Sequence, residues 1–155
     1  MTDEVLRRLL DLEEIKQLKA RYFRTLDRKE WDEYGEVFAL DAHMEVPEGD
    51  VSIDGRAAIV ASVSAVLTGV RTVHHGHTRE IEITGPDTAR GIWAMNDYLE
   101  FPPAEDGSRV GMKGYGHYEE DYVREDEEWR IKRTHLSRLR IDWLEGSVET
   151  LEGGP

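Results

Sequence analysis

At 155 residues the chain has room for one domain with a sizeable core, and no apolar run approaches the roughly 20 residues that span a bilayer. A net charge of −13 argues against partners recognised through their phosphates, whether nucleic acid or an anionic membrane surface. The absence of cysteine rules out disulfides and thiolate chemistry and, with an acidic amphipathic start that lacks a signal-peptide pattern, gives weak support to a cytoplasmic location.

The spacing predicts a helix over residues 4–28, as one element or two abutting ones. Leu12, Ile15, Leu18, Tyr22 and Leu26 recur at three- and four-residue steps, with Asp3 as N-cap. A second helix is expected over about 29–39 with Trp31, Tyr34 and Phe38 on one face, then a short strand at HMEV. Asp54 is placed to cap a third helix through GRAAIVASVSAVLTG, with Gly69 as its stop. Beyond Gly69 the pattern turns to alternation. Strands are expected near 71–84, 88–101, 111–124 and 129–143, divided by the turn-forming segments GPDT, PPAEDGS and EDEE. With no repeat or interior linker, residues 1–155 read as a single domain with its core over about 4–144 and a loose tail over 145–155. Helices first and an antiparallel meander afterwards make an α+β fold. In it the N-terminal helices pack on a strongly curved antiparallel sheet, forming a conical α+β barrel with one internal pocket.

Three of the six histidines fall in TVHHGHTREIEI, residues 72–83. His75 and His77 share a strand face, and Glu80 follows, close to a cupin-type metal signature. That signature has one more residue before its Glu and another His on a later strand, and a divalent site needs at least three ligands, so no metal is expected. Proton transfer instead requires a carboxylate that orients the imidazole and stabilises its cation. Asp27, among apolar neighbours in RYFRTLDRKEWD, is a candidate, although on spacing alone it reads first as a helix cap or terminator. Alternation sets His74 opposite Ile81 and Ile83, unless a bulge, expected at Gly76, reverses the phase. Trp93, Met95, Asp97 and Leu99 share one strand face, lining either a cavity or an ordinary core. A buried Asp97 would need a partner.

The segments IKQLKARYFRTLDRKEWD, VHHGHTREIEI and TARGIWAMNDYLEF resemble the SnoaL-like branch of the nuclear transport factor 2-like superfamily, over roughly residues 10–143. Within it the likeness is to bile acid 7alpha-dehydratases, and more weakly to scytalone dehydratases and hexachlorocyclohexane dehydrochlorinases. The resemblance implies an Asp–His dyad at Asp27 and His74, a hydrogen-bonding Tyr at Tyr22 and a last-strand Arg at Arg138. Scytalone dehydratases carry further pocket Ser and Asn residues where this chain has GYGHYEE, which includes Tyr118. The function implied is a cofactor-independent, dehydratase-like lyase acting on a hydrophobic cyclic, polyketide- or steroid-like molecule. Trp93, Met95, Asp97, Leu99 and Tyr118 are its candidate substrate contacts. Neither a GxGxxG segment nor a P-loop occurs in the chain. The resemblance also implies a homo-oligomer, trimer ahead of dimer. An isomerase or epoxide-opening hydrolase in the same pocket, or a non-catalytic ligand-binding or assembly subunit, fits the same residues.

Overall fold

The computed structural model describes residues 2–145, so the tail expected to be loose lies, but for Glu145, outside the described residues. A single uninterrupted helix, α1 (Asp3–Arg28), opens the fold. Its N-cap is Thr2, whose hydroxyl accepts from the Val5 N–H, rather than Asp3. The buried positions Asp11, Ile15, Leu18, Lys19, Tyr22, Thr25 and Leu26 follow the three- and four-residue steps of one helical face. The helix stops at Lys29, which adopts a left-handed backbone with φ 59° and returns its N–H to Leu26 O.

The next helix is shorter than the sequence suggests: α2 covers only Trp31–Glu36. Phe38 begins a strand, β1 (Phe38–Val46), that absorbs the end of the expected helix and extends well beyond HMEV. The Arg56 guanidinium bonds the Phe38 carbonyl, and Ile131 donates its N–H to the Val37 carbonyl. These long-range partners outweigh the local helical period. A turn of 3-10 helix at Pro47–Gly49 leads into β2 (Val51–Asp54). The N-cap of α3 (Arg56–Leu67) is Gly55 at φ 93°, not Asp54, whose carboxylate is instead drawn to His43 at 2.7 Å. Gly69, at φ 82°, follows the helix end as expected.

The long strands β3 (Arg71–Gly85), β4 (Thr88–Glu100), β5 (Val110–Glu125) and β6 (Glu128–Glu145) form the expected antiparallel meander. The sheet order is β2-β1-β6-β5-β4-β3, with β1 added parallel to β6. The sheet is therefore open at β2 and β3, an α+β architecture with helices against one curved face. One apolar cluster fills the space between, built on Ile15, Leu18, Phe38, Ile59, Trp93 and Ile131.

The phase reversal in β3 is present but not at Gly76. The register shifts between His77 and Glu80, where Thr78 has φ 28°. Thr72, His74 and Gly76 thus face inward before the bulge, and Ile81 and Ile83 after it. Gly76 is needed for a different reason. A Cβ there would stand 2.7 Å from the Phe23 ring of α1, so only glycine lets helix and strand approach this closely.

Candidate active site

The end of α1 meets the start of β3. Because α1 stays helical through Arg28, Asp27 lies about 140° round the helix from Tyr22. Tyr22 faces the interior while Asp27 reaches β3. Its Oδ1 receives the His74 Nδ1 hydrogen bond at 2.7 Å and the Thr72 hydroxyl at 2.9 Å, and its Oδ2 accepts the His74 backbone N–H at 2.9 Å. An ionised carboxylate only accepts, so the neutral imidazole carries its proton on Nδ1 and keeps the Nε2 lone pair free. Burial differs across the pair: the His74 side chain is 5% exposed and that of Asp27 23%.

His74 lines a cavity of about 230 Å³ that is walled by α1, α2, α3 and strands β1, β2, β3, β5 and β6. Most of the wall is apolar, from residues such as Leu26, Met44, Ile53, Val63 and Leu136; Tyr22, Tyr118, Thr134 and Arg138 supply polar groups. An apolar cavity with a few convergent polar side chains is the usual form of a small-molecule site. Burial pushes the Tyr22 and Tyr118 phenols up, with the Glu120 charge acting in the same direction, so both remain protonated hydrogen-bond donors.

Of the five side chains expected to contact substrate, Tyr118 lines the cavity. Trp93 and Met95 belong to the main core, and Leu99 packs with Val70 and Met112 in a second cluster. Asp97 is buried with the partner it requires: Arg138 Nη2 donates to its Oδ2 at 2.5 Å. A second carboxylate, Glu48, accepts from Arg138 Nη1 at 3.2 Å and from the Arg138 backbone N–H at 2.9 Å. Arg138 therefore reaches the cavity wall with its charge already opposed on two sides. On the outer face His77 bonds the Asn96 side chain at 2.6 Å, and His75 stacks edge-on against His77. No cluster of three potential metal ligands occurs among the described residues.

Sequence reasoning passed over a buried ion pair behind the cavity. Lys19 Nζ and Glu120 Oε1 are 2.6 Å apart with both side chains fully buried. The carboxylate also accepts from Thr134 at 2.9 Å and Tyr122 at 2.6 Å, and Trp93 donates to the Tyr122 hydroxyl. The ammonium lies 3.6 Å from the Tyr118 ring centre and 4.0 Å from that of Tyr22, an electrostatically favourable position over two aromatic faces. Burial pushes the Lys19 ammonium down while Glu120 opposes it. The available signal was a lysine in the apolar stripe of α1, four residues after Ile15 and three before Tyr22. Thr72 and Lys29 were also missed, although Thr72 shares the inner phase of His74 two residues on.

Comparison with known proteins agrees with this architecture. The SnoaL-like domain profile matches residues 7–135. A Gibberella zeae relative named "Probable cyclase FGR4" is 24% identical over 135 residues, covering 81% of this chain and 89% of its own. A type 2 hexachlorocyclohexane dehydrochlorinase superposes with a TM-score of 0.80 at 19% identity, covering 96% of this chain and 98% of that one. The type 3 enzyme of Novosphingobium barchaimii gives 0.76 at 19% identity, with 94% and 97% covered. With its profile matched from the first helix into the last strand, the chain belongs to the SnoaL-like domain family, in the nuclear transport factor 2-like superfamily.

Proposed function

We propose that the protein is a cofactor-independent lyase that eliminates water or a comparable leaving group from a hydrophobic cyclic molecule. The observation that carries the reading is the His74 imidazole, held at Nδ1 by Asp27 on the wall of an apolar cavity. His74 Nε2 takes the proton from a carbon beside a carbonyl, and the electron pair moves onto the carbonyl oxygen. Asp27 holds the tautomer and favours the imidazolium that forms. Tyr22 donates a hydrogen bond to the developing oxyanion. When the enolate collapses, the carbon–oxygen bond to the leaving hydroxyl breaks, and the proton held by His74 goes to it, releasing water and restoring the neutral base.

Dehydrochlorinases among the similar structures support elimination as the reaction class, and the relative named a probable cyclase supports chemistry on a molecule that is, or becomes, cyclic. Mass spectrometry of a ligand that copurifies with the protein identifies the substrate or its mimic. On that compound the wild type is expected to catalyse elimination unaffected by chelators, and His74→Ala to lose about 10²–10⁴-fold in turnover. Undiminished turnover by His74→Ala would leave the cavity a binding site without its base.

A further inference from the structure

Lys29 occupies the position after α1, where the backbone is left-handed at φ 59°. Glycine or asparagine is the usual residue there, and a side chain retained against that preference points to a task. Its ammonium donates to the Leu26 carbonyl at 3.2 Å and to the Thr72 hydroxyl at 2.7 Å. An ammonium has no lone pair to offer, so the Thr72 hydroxyl accepts from Lys29 and gives its own proton to Asp27 Oδ1, 2.9 Å away. The directions are fixed from end to end: Lys29 donates to Thr72, Thr72 to Asp27, and His74 Nδ1 to that same oxygen.

The charges around the imidazole give this chain of donors a purpose. Asp27 approaches from the end of α1. Asp97 on β4 is the cross-strand partner of His74, and both are buried. Two carboxylates beside a buried imidazole favour its protonated form, which cannot accept a proton. Asp97 is met by Arg138 from β6, and Asp27 is met, through one hydroxyl, by Lys29. The remaining titratable groups facing the cavity are the Tyr22, Tyr34 and Tyr118 phenols and Glu45 of β1, which is bound by Arg133 and His135.

We propose that Lys29, acting through the Thr72 hydroxyl, is a positioning residue that offsets the charge of Asp27 and so keeps His74 an unprotonated, proton-accepting base. The inference rests on the proposed role of His74 but is tested without turnover. Burial pushes the Lys29 ammonium down, with the Asp27 charge opposing, consistent with a cation partly withdrawn from water, where its field is less screened.

The experiment follows the ring resonances of His74 through a pH titration of the unliganded, isotope-labelled full chain, with the signal assigned by its loss in His74→Gln. Lys29→Met is expected to raise the His74 midpoint by about one pH unit. Thr72→Val should raise it by less, and Thr72→Ser should return it to the wild-type position. Lys29→Gly should behave as Lys29→Met does. Glycine is at ease in the left-handed region, so this variant removes the charge without straining the helix end. A midpoint that stays in place or falls in both Lys29 variants overturns the proposal. The base reading fails differently: if His74→Ala retained full turnover, the midpoints would still move as stated.

Discussion

Asp97 and Arg138 sit on strands that are not neighbours, β4 and β6, and their side chains meet over Gly114 of the strand between them. A Cβ at position 114 would fall 2.2 Å from Asp97 Oδ1 and 2.6 Å from Arg138 Nε. Glycine here keeps open the channel through which the carboxylate reaches the guanidinium. Gly114→Ala is accordingly expected to lower stability by about 3 kcal/mol, between the cost of overpacking and that of breaking a buried pair. Urea unfolding measures this, and a loss below about 1 kcal/mol would mean the pair can step aside.

The reach of the sequence can be judged on β3 and β4. Strict alternation set Trp93, Met95, Asp97 and Leu99 on one face, and all four are buried together. Whether that face met a cavity or a core was not legible, because it depends on where the curved sheet turns away from α1, a property of all six strands at once. The β3 phase reversal was inferable from His74 against Ile81, but the glycine that suggested its place answers to Phe23, and the bulge formed at Thr78 instead. Lys19 stands out in the apolar stripe of α1, but nothing in its own segment names the carboxylate that answers it. Lys19 and Glu120 become one object only when α1 crosses β5, 101 residues later in the chain.

That pair makes a second prediction. Lys19→Met leaves Glu120 charged and dry, accepting only from Thr134 and Tyr122. Removing one partner of a buried ion pair costs about 3–5 kcal/mol. Adding Glu120→Gln removes the stranded charge; its amide oxygen can still accept from the Tyr122 hydroxyl while its NH2 donates to the Thr134 oxygen. The double variant is therefore expected to recover more than half of the loss in thermal or urea unfolding. A double variant as unstable as Lys19→Met alone would show that the ammonium matters through the Tyr22 and Tyr118 rings rather than through Glu120.

The acid limb of stability should carry the signature of Glu45. Hydrogen bonds from His135 first and Arg133 next hold its carboxyl down at about 2, against an ordinary 4.5. Because the folded value is depressed, the unfolded chain takes up this proton first as pH falls. The stabilising contribution is therefore complete above about 4.5 and lost as pH falls towards 2. Glu45→Gln should be less stable than wild type near neutrality, and the difference should close over that window. A gap in denaturant midpoint that stayed constant down to pH 2 would contradict the assignment.

The last prediction concerns Asp27 and His74 acting as one unit. Nothing local brings them together, since 47 positions separate them in the chain. Their contact depends on α1 remaining helical through Arg28 and on β3 facing Thr72 and His74 inward. In the proposed elimination, His74→Ala removes the base outright, at about 10²–10⁴-fold. Asp27→Asn keeps the shape but removes the charge that favours the imidazolium, and its amide can present an N–H where Nδ1 needs an acceptor, inviting the wrong tautomer. The loss in Asp27→Asn should therefore be comparable, and it should fall on kcat rather than KM, because the charge matters most once the proton has moved. Combining the two should cost little beyond the worse single change, since without an imidazole to orient, Asp27 has no remaining task in the chemistry. Losses that multiplied in full would separate the residues into independent roles, and Asp27 would then stand as the anchor that joins α1 to β3 through Thr72 and the His74 backbone.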